Sequence, residues 1–276
     1  MAPVESLADA PAVRSALAAS SMFGPLEHHQ RVGSTNDVAR SRLAETAEPG
    51  LVVVADRQTA GRGRAGRSWT DDVDGPDGPA NLAVTATLSA PEQNAELTSL
   101  ATGLAVADAF AAAGAAGGRE IEVGLKWPND VLLGGRKAAG ILIERHTVAG
   151  RDVLLIGCGL DLDWRGVART GEAAGWTSLA ETVGAPVDRA QVLATLITAL
   201  TRHLGVLAEH PRTLLATYRR HCVTIGSDVD VQLPRGEPLS GTAVDVDDRG
   251  RLVVDTGRER IEVLVGDVTH VRPSGG

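Results

Sequence analysis

The stretch that decides the fold is KWPNDVLLGGRKAAGILI, residues 126–143. Two apolar runs flank Gly134-Gly135, and a glycine pair tolerates the positive φ angles that a tight hairpin turn requires. The apolar residues 121–127 before the turn and 153–156 after it predict further strands. The sequence therefore predicts a β-hairpin with other strands nearby.

Strands and helices alternate in the chain around this hairpin. A continuous apolar run over residues 51–55 is typical of a buried strand, and alternating apolar residues over 82–88 predict a half-buried strand. Ser34 or Thr35 is a suitable N-cap for the first of the predicted helices. The spacing of apolar residues predicts these helices over 37–44, 91–113, 188–209 and 212–221.

The apolar pattern changes near His221. Beyond this residue the spacing becomes two, and turn sequences at residues 248–250 and 256–258 separate about five short strands. Short strands with close turns are typical of a small β-barrel. We therefore expect three segments, an N-terminal extension, a large domain and a small C-terminal domain, over residues 1–24, 25–221 and 222–276.

Composition and charge exclude several classes of function. Hydrophobic residues make up 43% of the chain and aromatic residues only 3%, so Ala, Val and Leu must build the core. A net charge of −8 argues against a basic groove that covers the molecule. Two cysteines cannot form a disulfide framework, and the chain shows no signal peptide and no uninterrupted apolar run of membrane-spanning length. We expect a soluble, cytoplasmic protein without a membrane segment.

Lysine is almost absent from the chain. Of the 27 basic residues, only Lys126 and Lys137 are lysines, and both lie in the stretch quoted above. Arginine is a broad planar fork, whereas lysine is a compact point charge with three donors. We infer that both positions need a compact cation, as at a site that bridges a carboxylate and a phosphate. The alternative is a pair of surface lysines without a special role.

A second cationic segment follows the strand over residues 51–55. Residues 61–67 read GRGRAGR, with three arginines and three glycines. Glycine lets backbone N–H groups turn toward an anion, and arginine binds carboxylates or phosphates through two parallel bonds. Because Trp69 closes it, the segment predicts an ordered anion-binding loop, and it lacks the Gly-Lys-Ser/Thr of a P-loop. The alternative is a solvated segment that binds nucleic acid without sequence preference.

Three segments together resemble a known family. They are Gly33-Ser34-Thr35-Asn36, then QTAGRGRAGRSW over residues 58–69, then KWPND over 126–130 with RKAAGIL over 136–142. Their order and spacing resemble those of the biotin protein ligases, over about residues 30–165. Each motif alone is weakly specific, but the three in this order are highly specific.

The resemblance implies an α+β fold: a mixed β-sheet catalytic domain related to class II aminoacyl-tRNA synthetases, followed by a small C-terminal SH3-like β-barrel. It implies an enzyme that uses ATP and Mg²⁺ to form biotinyl-5'-AMP and pyrophosphate. The enzyme would then transfer biotin to a lysine of a biotin carboxyl carrier domain of an acyl-CoA carboxylase. Only about 30 residues precede the motifs, too few for the DNA-binding domain of some members. We therefore expect the ligase-only type, without DNA binding. A weak homodimer is the self-association that we consider.

The resemblance also implies roles for individual residues, carried over by motif position. One group would bind biotin: Ser34, Thr35, Asn36, Gln58, Gly61, Arg62, Gly63, Lys137 and Gly140. A second group would bind ATP and the adenylate: Arg64, Arg67, Trp69, Lys126, Asn129 and Asp161. Lys137 and Arg64 would be catalytic, with Lys137 between the biotin carboxylate and the α-phosphate. Metal ligands are not indicated.

Some features depart from the family pattern or leave alternatives. Asp161 stands where the family commonly has Asn, which adds a charge near the expected nucleotide. A lipoate–protein ligase would have a related fold and chemistry, and a non-enzymatic nucleic-acid-binding protein would use the arginine-rich segment. No Ser-His-Asp or Cys-His catalytic signature occurs, and His28 and His29 are interpreted as solvated side chains.

Overall fold

The computed structural model describes residues 6–69, 72–233, 237–264 and 266–270. The outermost residues of both predicted terminal segments, 1–5 and 271–276, lie outside this description. The α-helices are α1 Pro11–Ala19, α2 Thr35–Thr46, α3 Thr98–Ala116, α4 Leu179–Val183, α5 Arg189–Glu209 and α6 Pro211–His221. The strands before the quoted stretch are β1 Leu26–Val32, β2 Val52–Gln58, β3 Gly61–Arg62, β4 Ser68–Trp69, β5 Asp74–Gly75, β6 Gly78–Pro79 and β7 Asn81–Ser89. The later strands are β8 Val123–Lys126, β9 Asp130–Leu133, β10 Arg136–Val148, β11 Arg151–Asp161, β12 Asp228–Gln232, β13 Leu239–Val246, β14 Leu252–Asp255, β15 Arg260–Val263 and β16 Asp267–His270.

Seven strands form the main sheet, in the order β1-β2-β7-β11-β10-β9-β8. Strands β1 and β2 run parallel, while the other neighbours run antiparallel, so the sheet is mixed as the resemblance implied. The predicted hairpin joins β9 to β10, and its residues Gly134 and Gly135 have φ angles of 53° and 75°. The expected α+β class is confirmed.

The two faces of the sheet are covered unequally. On one face, alternate strand residues such as Leu82, Ile156 and Leu160 share a large core with the apolar sides of α3 and α5. On the other face, a smaller core joins Val53 and Leu155 to Leu43 of α2. Among the described helices, α2 is the one whose residues belong to this smaller core.

Strand β7 corrects one expectation from the sequence. Alternation over residues 82–88 predicted a half-buried strand, but the first seven residues of β7 are all buried. The strand lies between β2 and β11 in the interior of the sheet, so both of its faces are covered. Its polar residues, Thr85 and Thr87 among them, are accommodated because they make buried hydrogen bonds.

The expectation that His28 is solvated is wrong. Its side chain is 5% exposed, and Nε2 lies 3.0 Å from Asp56 Oδ1, which also pairs with Arg189 at 2.9 Å. The ring Nδ1 accepts a hydrogen bond of 3.1 Å from the backbone N–H of Leu7. This contact ties the N-terminal extension to the main sheet, and Val13 of α1 is fully buried in the large core.

Five strands form a second sheet, antiparallel throughout, in the order β15-β14-β13-β12-β16. The small all-β domain that the sequence predicted is therefore confirmed. It is fixed to the main domain by Trp127, whose indole N–H donates to the Gly250 carbonyl at 2.9 Å. The Val223 N–H also donates to the Leu125 carbonyl at 2.9 Å, next to the end of α6.

Two long helices are apolar enough to be compared with membrane spans. By length and composition, Ala95–Ala116 and Arg189–Glu209 would both qualify, but 61% and 56% of their most apolar windows are buried within the fold. A helix that packs against the main sheet needs the same apolar composition. These helices therefore serve as the core helices of the large domain.

Candidate functional site

A cleft opens on the face of the main sheet that carries α2, and its empty space is about 660 Å³ when the open mouth is included. This size is ordinary for a small-molecule site. Twelve of the fifteen predicted site residues line it: Ser34, Thr35, Asn36, Gln58, Arg62, Gly63, Arg64, Arg67, Trp69, Asn129, Lys137 and Gly140. Seven further residues complete the lining: Ser68, Ile141, Leu142, Gly157, Cys158, Gly159 and Trp176.

The floor of the cleft is made of glycine backbone. Gly140 and Gly159 face each other on β10 and β11, and Gly157 is the next residue on the same face of β11. A Cβ atom at Gly159 would lie 2.4 Å from Trp69, and one at Gly140 would lie 2.8 Å from the same indole. These strands therefore form a trough of main chain on which the Trp69 indole rests directly.

Cys158, between these glycines, points into the large core. Burial raises the pKa of its thiol to about 12, so at neutral pH it is a neutral thiol and not a nucleophile.

A buried polar wall closes one end of the cleft. Gln58 Oε1 accepts hydrogen bonds from the N–H of Thr35 at 2.8 Å and from its hydroxyl at 3.1 Å. The Thr85 hydroxyl lies 2.8 Å from Thr35 Oγ1 and 2.6 Å from Asn36 Oδ1. Asn36 in turn donates to Glu144 at 2.6 Å. Gln58 at the end of β2 and the first turn of α2 thus present fixed donors and acceptors to an uncharged polar group.

Residues 59–69, which we call the arginine loop, fold back over the trough. Strands β3 and β4 pair Gly61 with Trp69, and the Gly63 N–H donates to the Arg67 carbonyl at 2.7 Å. A Cβ atom at Gly61 would lie 2.8 Å from the Trp69 carbonyl, so this close pairing requires glycine. Gly61 therefore shapes the loop without lining the cleft.

The three arginines of this loop have different partners. Arg62 makes a two-bond ion pair with Asp37 in the first turn of α2, at 2.7 and 2.9 Å. Arg64 donates to Asn129 at 3.3 Å, and burial lowers the pKa of its guanidinium. Arg67 pairs with Asp267 of the small domain at 2.7 Å. The two ends of the loop are thus fastened to different elements, while Arg64 is held inside.

Lys137 lies at the centre of the cationic end. Its Nζ is 2.7 Å from Asp130 Oδ1, 4.8 Å from the centre of the Trp176 ring and 5.3 Å from that of Trp69. The two indoles stack on each other with their centres 5.0 Å apart. Carboxylate and π-faces both favour a cation, so this site holds an ammonium group between an acidic and an aromatic partner.

Lys126 and Asp161 lie outside the lining of the cleft. Lys126 is the cross-strand neighbour of Asp130 in the β8–β9 ladder, and burial lowers the pKa of its amine. Asp161 is fully buried at the end of β11, opposite Asn81 of β7. A role of either residue in nucleotide binding stays a prediction.

Sequence reasoning missed two residues of the site, Trp176 and Asp130. Trp176 lies in the connection between β11 and α4, where no motif was identified, although it is one of only four tryptophans in the chain. Asp130 was quoted within the KWPND motif but was given no role. Because the chain is so poor in aromatic residues, each of its tryptophans is a candidate for the site. This signal could have identified Trp176.

The described residues contain no group of three or more His, Cys, Asp or Glu side chains that could hold a metal ion. Mg²⁺ commonly binds through substrate phosphates with one or two protein carboxylates. In this cleft Asp130 is the carboxylate next to the cationic end, and Lys137 already neutralises it. A magnesium ion would therefore be held chiefly by the phosphates of a nucleotide.

The cleft combines two kinds of recognition. One end offers neutral donors and acceptors from Gln58, Thr35 and Asn36, and the other offers Arg64, Arg67 and Lys137. Such a site can hold an uncharged polar head at one end while it brings two anionic groups together at the other.

Comparison with known proteins agrees with this geometry. Residues 29–163 match the model of the biotin/lipoate A/B protein ligase family, and residues 224–271 match the biotin protein ligase C-terminal domain. The chain is 36% identical to a biotin–[acetyl-CoA-carboxylase] ligase of Mycobacterium tuberculosis, over 93% of this chain and 92% of that protein. It is 28% identical to the bifunctional ligase/repressor BirA of Bacillus subtilis, over 93% of this chain and 77% of that protein.

A solved structure shows the same fold. The biotin protein ligase of Aquifex aeolicus, in complex with biotin and ATP, superposes with a TM-score of 0.73 at 26% identity. The alignment covers 91% of this chain and all of that one.

Proposed function

Because this chain belongs to the biotin/lipoate A/B protein ligase family, we propose that its cleft joins biotin to the α-phosphate of ATP and then passes biotin to a lysine of an acceptor protein. The relatives that match over nearly the whole chain make it an ATP-dependent biotin–protein ligase. The observation that carries the residue assignments is the cleft with a neutral polar wall at one end and three cations at the other.

The neutral wall would bind the ureido ring of biotin. This ring has a carbonyl acceptor and two N–H donors, and Gln58, Thr35 and Asn36 supply complementary groups in fixed positions, with Ser34 beside them in the lining. The glycines of β10 and β11 let Trp69 and Asn36 lie close to the main chain, and the bicyclic ring of biotin would lie beside them in the cleft. The chain of biotin would direct its carboxylate toward Lys137.

Activation of the carboxylate is the step that needs the cations. A carboxylate oxygen would attack the α-phosphorus of ATP and release pyrophosphate, with Mg²⁺ arriving on the nucleotide. Both reactants are anions, so Lys137 and Arg64 would offset their repulsion and stabilise the charge of the transition state. Arg67, Trp69 and Asn129 would hold the nucleotide, and Lys126 and Asp161 stay nucleotide-binding candidates although neither lines the cleft.

The product, biotinyl-5'-AMP, is a mixed anhydride that water destroys. The arginine loop with Trp69 and Trp176 would cover it and exclude water until an acceptor arrives. An uncharged acceptor lysine would then attack the acyl carbon, and AMP would leave. This route needs no covalent intermediate with the enzyme, in agreement with the neutral thiol of Cys158.

The acceptor would be a biotin carboxyl carrier domain of an acyl-CoA carboxylase, and the Mycobacterium relative is named as a ligase that acts on acetyl-CoA carboxylase. Strand β9 pairs with β10 only over residues 136–140, so among the described strands residues 142–148 of β10 have a neighbour on one side only. An extended segment of the acceptor could add to this edge beside the cleft. The same edge of β10 could pair with a second copy of the chain in a weak homodimer. We also propose that the reaction takes place in the cytoplasm.

Pyrophosphate exchange tests this function. The purified protein with ATP, Mg²⁺ and biotin should exchange labelled pyrophosphate into ATP and accumulate acyl-AMP, whereas lipoate in place of biotin should not. A carrier domain added afterwards should become biotinylated on one lysine. Exchange with lipoate alone would favour the lipoate ligase alternative, and no exchange with either acid would reject the function.

A further inference from the structure

The enzyme stores a reactive acyl group next to one of its own amines. Among the described residues that line the cleft, Lys137 is the only lysine. In the reaction proposed above, its Nζ lies beside the carboxylate that becomes the acyl phosphate. The acceptor's lysine and Lys137 carry the same functional group, so the enzyme must prevent the second from reacting.

The unwanted reaction is simple to write. An uncharged Lys137 amine would attack the acyl carbon of biotinyl-5'-AMP, and an amide C–N bond would form as the bond from that carbon to the phosphate oxygen breaks. AMP would leave with the bonding electrons, and the amine proton would pass to solvent. The product is an enzyme biotinylated on Lys137, without its central cation.

Three side chains surround the amine of Lys137. Asp130 Oδ1 lies 2.7 Å from Lys137 Nζ, and the indoles of Trp69 and Trp176 face the same nitrogen, with ring centres 5.3 and 4.8 Å away. A carboxylate at hydrogen-bond distance and the π-faces of two rings each stabilise an ammonium group relative to an uncharged amine.

We propose that Asp130 protects the enzyme from its own intermediate, by holding Lys137 as an ammonium group that cannot attack biotinyl-5'-AMP. Asp130 is in this sense a positioning residue that acts through Lys137. The composition of the chain points the same way, since it contains no lysine besides Lys126 and Lys137 that released adenylate could modify. The inference rests on the proposed function, because it requires an acyl adenylate in the cleft.

The test compares wild type with Asp130→Asn, which keeps the size of the side chain and removes its charge. Each protein receives chemically prepared biotinyl-5'-AMP without acceptor, so that loss of the adenylation step does not matter. Intact-mass measurement and peptide mapping then locate any biotinyl group. We expect modification of Lys137 in Asp130→Asn at a rate at least about tenfold above wild type, the change that one unit in the pKa of an amine would produce.

Three controls make the outcome specific. Asp130→Glu retains the carboxylate and should stay unmodified, whereas Asp130→Ser should behave like Asp130→Asn. Adding Lys137→Arg to Asp130→Asn should remove the modification. If Lys137 stays unmodified in both Asp130→Asn and Asp130→Ser, the proposal is overturned.

A separate assay keeps the two proposals apart. Wild type with biotin, ATP and Mg²⁺ should biotinylate a carrier domain whatever happens at Lys137. Failure of that assay would reject the proposed function, whereas success with an unmodified Lys137 in both variants would reject only the role of Asp130.

Discussion

At the scale of single residues, the site depends on side chains whose size matters as much as their charge. Lys137 places one nitrogen 2.7 Å from a carboxylate and about 5 Å from two ring centres. A guanidinium carries the same charge over a wider plane. The chain uses arginine almost everywhere else, so we infer that this position requires the compact charge of lysine.

We expect Lys137→Arg to impair adenylate formation although it keeps the charge. The wider guanidinium cannot sit in the same place between Asp130 and the stacked indoles, and misplacement of a catalytic group by about 1 Å costs roughly 100-fold in rate. Single-turnover formation of biotinyl-5'-AMP measures the effect. Arg145→Lys on the surface of β10 is the matched control, and wild-type kinetics in Lys137→Arg would contradict the compact-cation argument.

Asp56 carries a second prediction, on stability and pH. Burial alone would raise the pKa of Asp56, but the hydrogen bond from His28 and the charge of Arg189 outweigh it and hold the pKa below its usual value. The ionised group therefore stabilises the fold above about pH 4, and this contribution is lost as the pH falls through the folded-state pKa.

Replacement of Asp56 by Asn should lower the free energy of unfolding at pH 7 by about 2 kcal/mol, since Arg189 and His28 lose a charged partner. The deficit should shrink when urea denaturation is repeated near pH 3. The exposed Glu48→Gln serves as control. A deficit that grows toward acid pH would show that the sign is wrong.

Sequence motifs identified residues of the site but not all contacts between them. Lys137 and Gly140 were assigned because they stand in a recognisable motif. Trp176 was missed because it reaches Lys137 from 39 positions further along the chain, through a connection without periodicity. His28 was expected to be solvated because nothing in a local pattern shows that Leu7 and Asp56 converge on its two ring nitrogens.

At the scale of elements, the sheet contributes to the site through glycines, which have no side chain. Gly140, Gly157 and Gly159 fall on one face of β10 and β11, while residues between them, such as Ile141 and Cys158, fill the core on the other face. The period of two in a strand makes this division possible. One pair of strands thus supplies a dense core on one face and, on the other, a flat surface of main chain that Trp69 contacts.

Gly159→Ala should disturb the cleft without unfolding the protein. Its Cβ would lie 2.4 Å from Trp69, so the indole and the arginine loop must shift. We expect adenylate to escape at least about tenfold faster, because the arginine loop no longer closes over it. Gly205→Ala in α5, where a Cβ meets nothing within 4 Å, is the control. Unchanged release of adenylate from Gly159→Ala would show that the loop does not rest on this strand.

The elements were predictable where one periodicity dominated. Helices α5 and α6 and the β9–β10 hairpin follow their sequence patterns closely. The burial of β7 was not predictable from alternation, because threonine and asparagine are polar in sequence yet hydrogen-bonded inside the sheet. Helix α4 was overlooked although Ser178 and Glu181 form a capping box, since five residues are too few to establish a helical period.

At the scale of the whole molecule, the small domain takes part in the site. Asp267 at the start of β16 pairs with Arg67 of the arginine loop, and Trp127 binds Gly250 of the small domain from the other side. The small domain therefore holds the loop at one end, while Asp37 of α2 holds it at the other through Arg62.

We expect Asp267→Asn to loosen the arginine loop. The pair is partly exposed, so the loss should be at most about 1 kcal/mol, or a release of adenylate about two- to fivefold faster at low salt. The difference from wild type should fade at high ionic strength, where the pair is screened. Glu259→Gln makes the same charge change in the small domain and serves as control. An effect independent of salt would point to a cause other than the ion pair.

The trough of main chain beneath Trp69 has a consequence for evolution and redesign. A mutation replaces one side chain with another. At a surface made of glycine main chain there is no side chain to replace, so a mutation there can only add bulk. New substrate preference would therefore have to be acquired at the polar wall or in the loop, while the strands stay as they are.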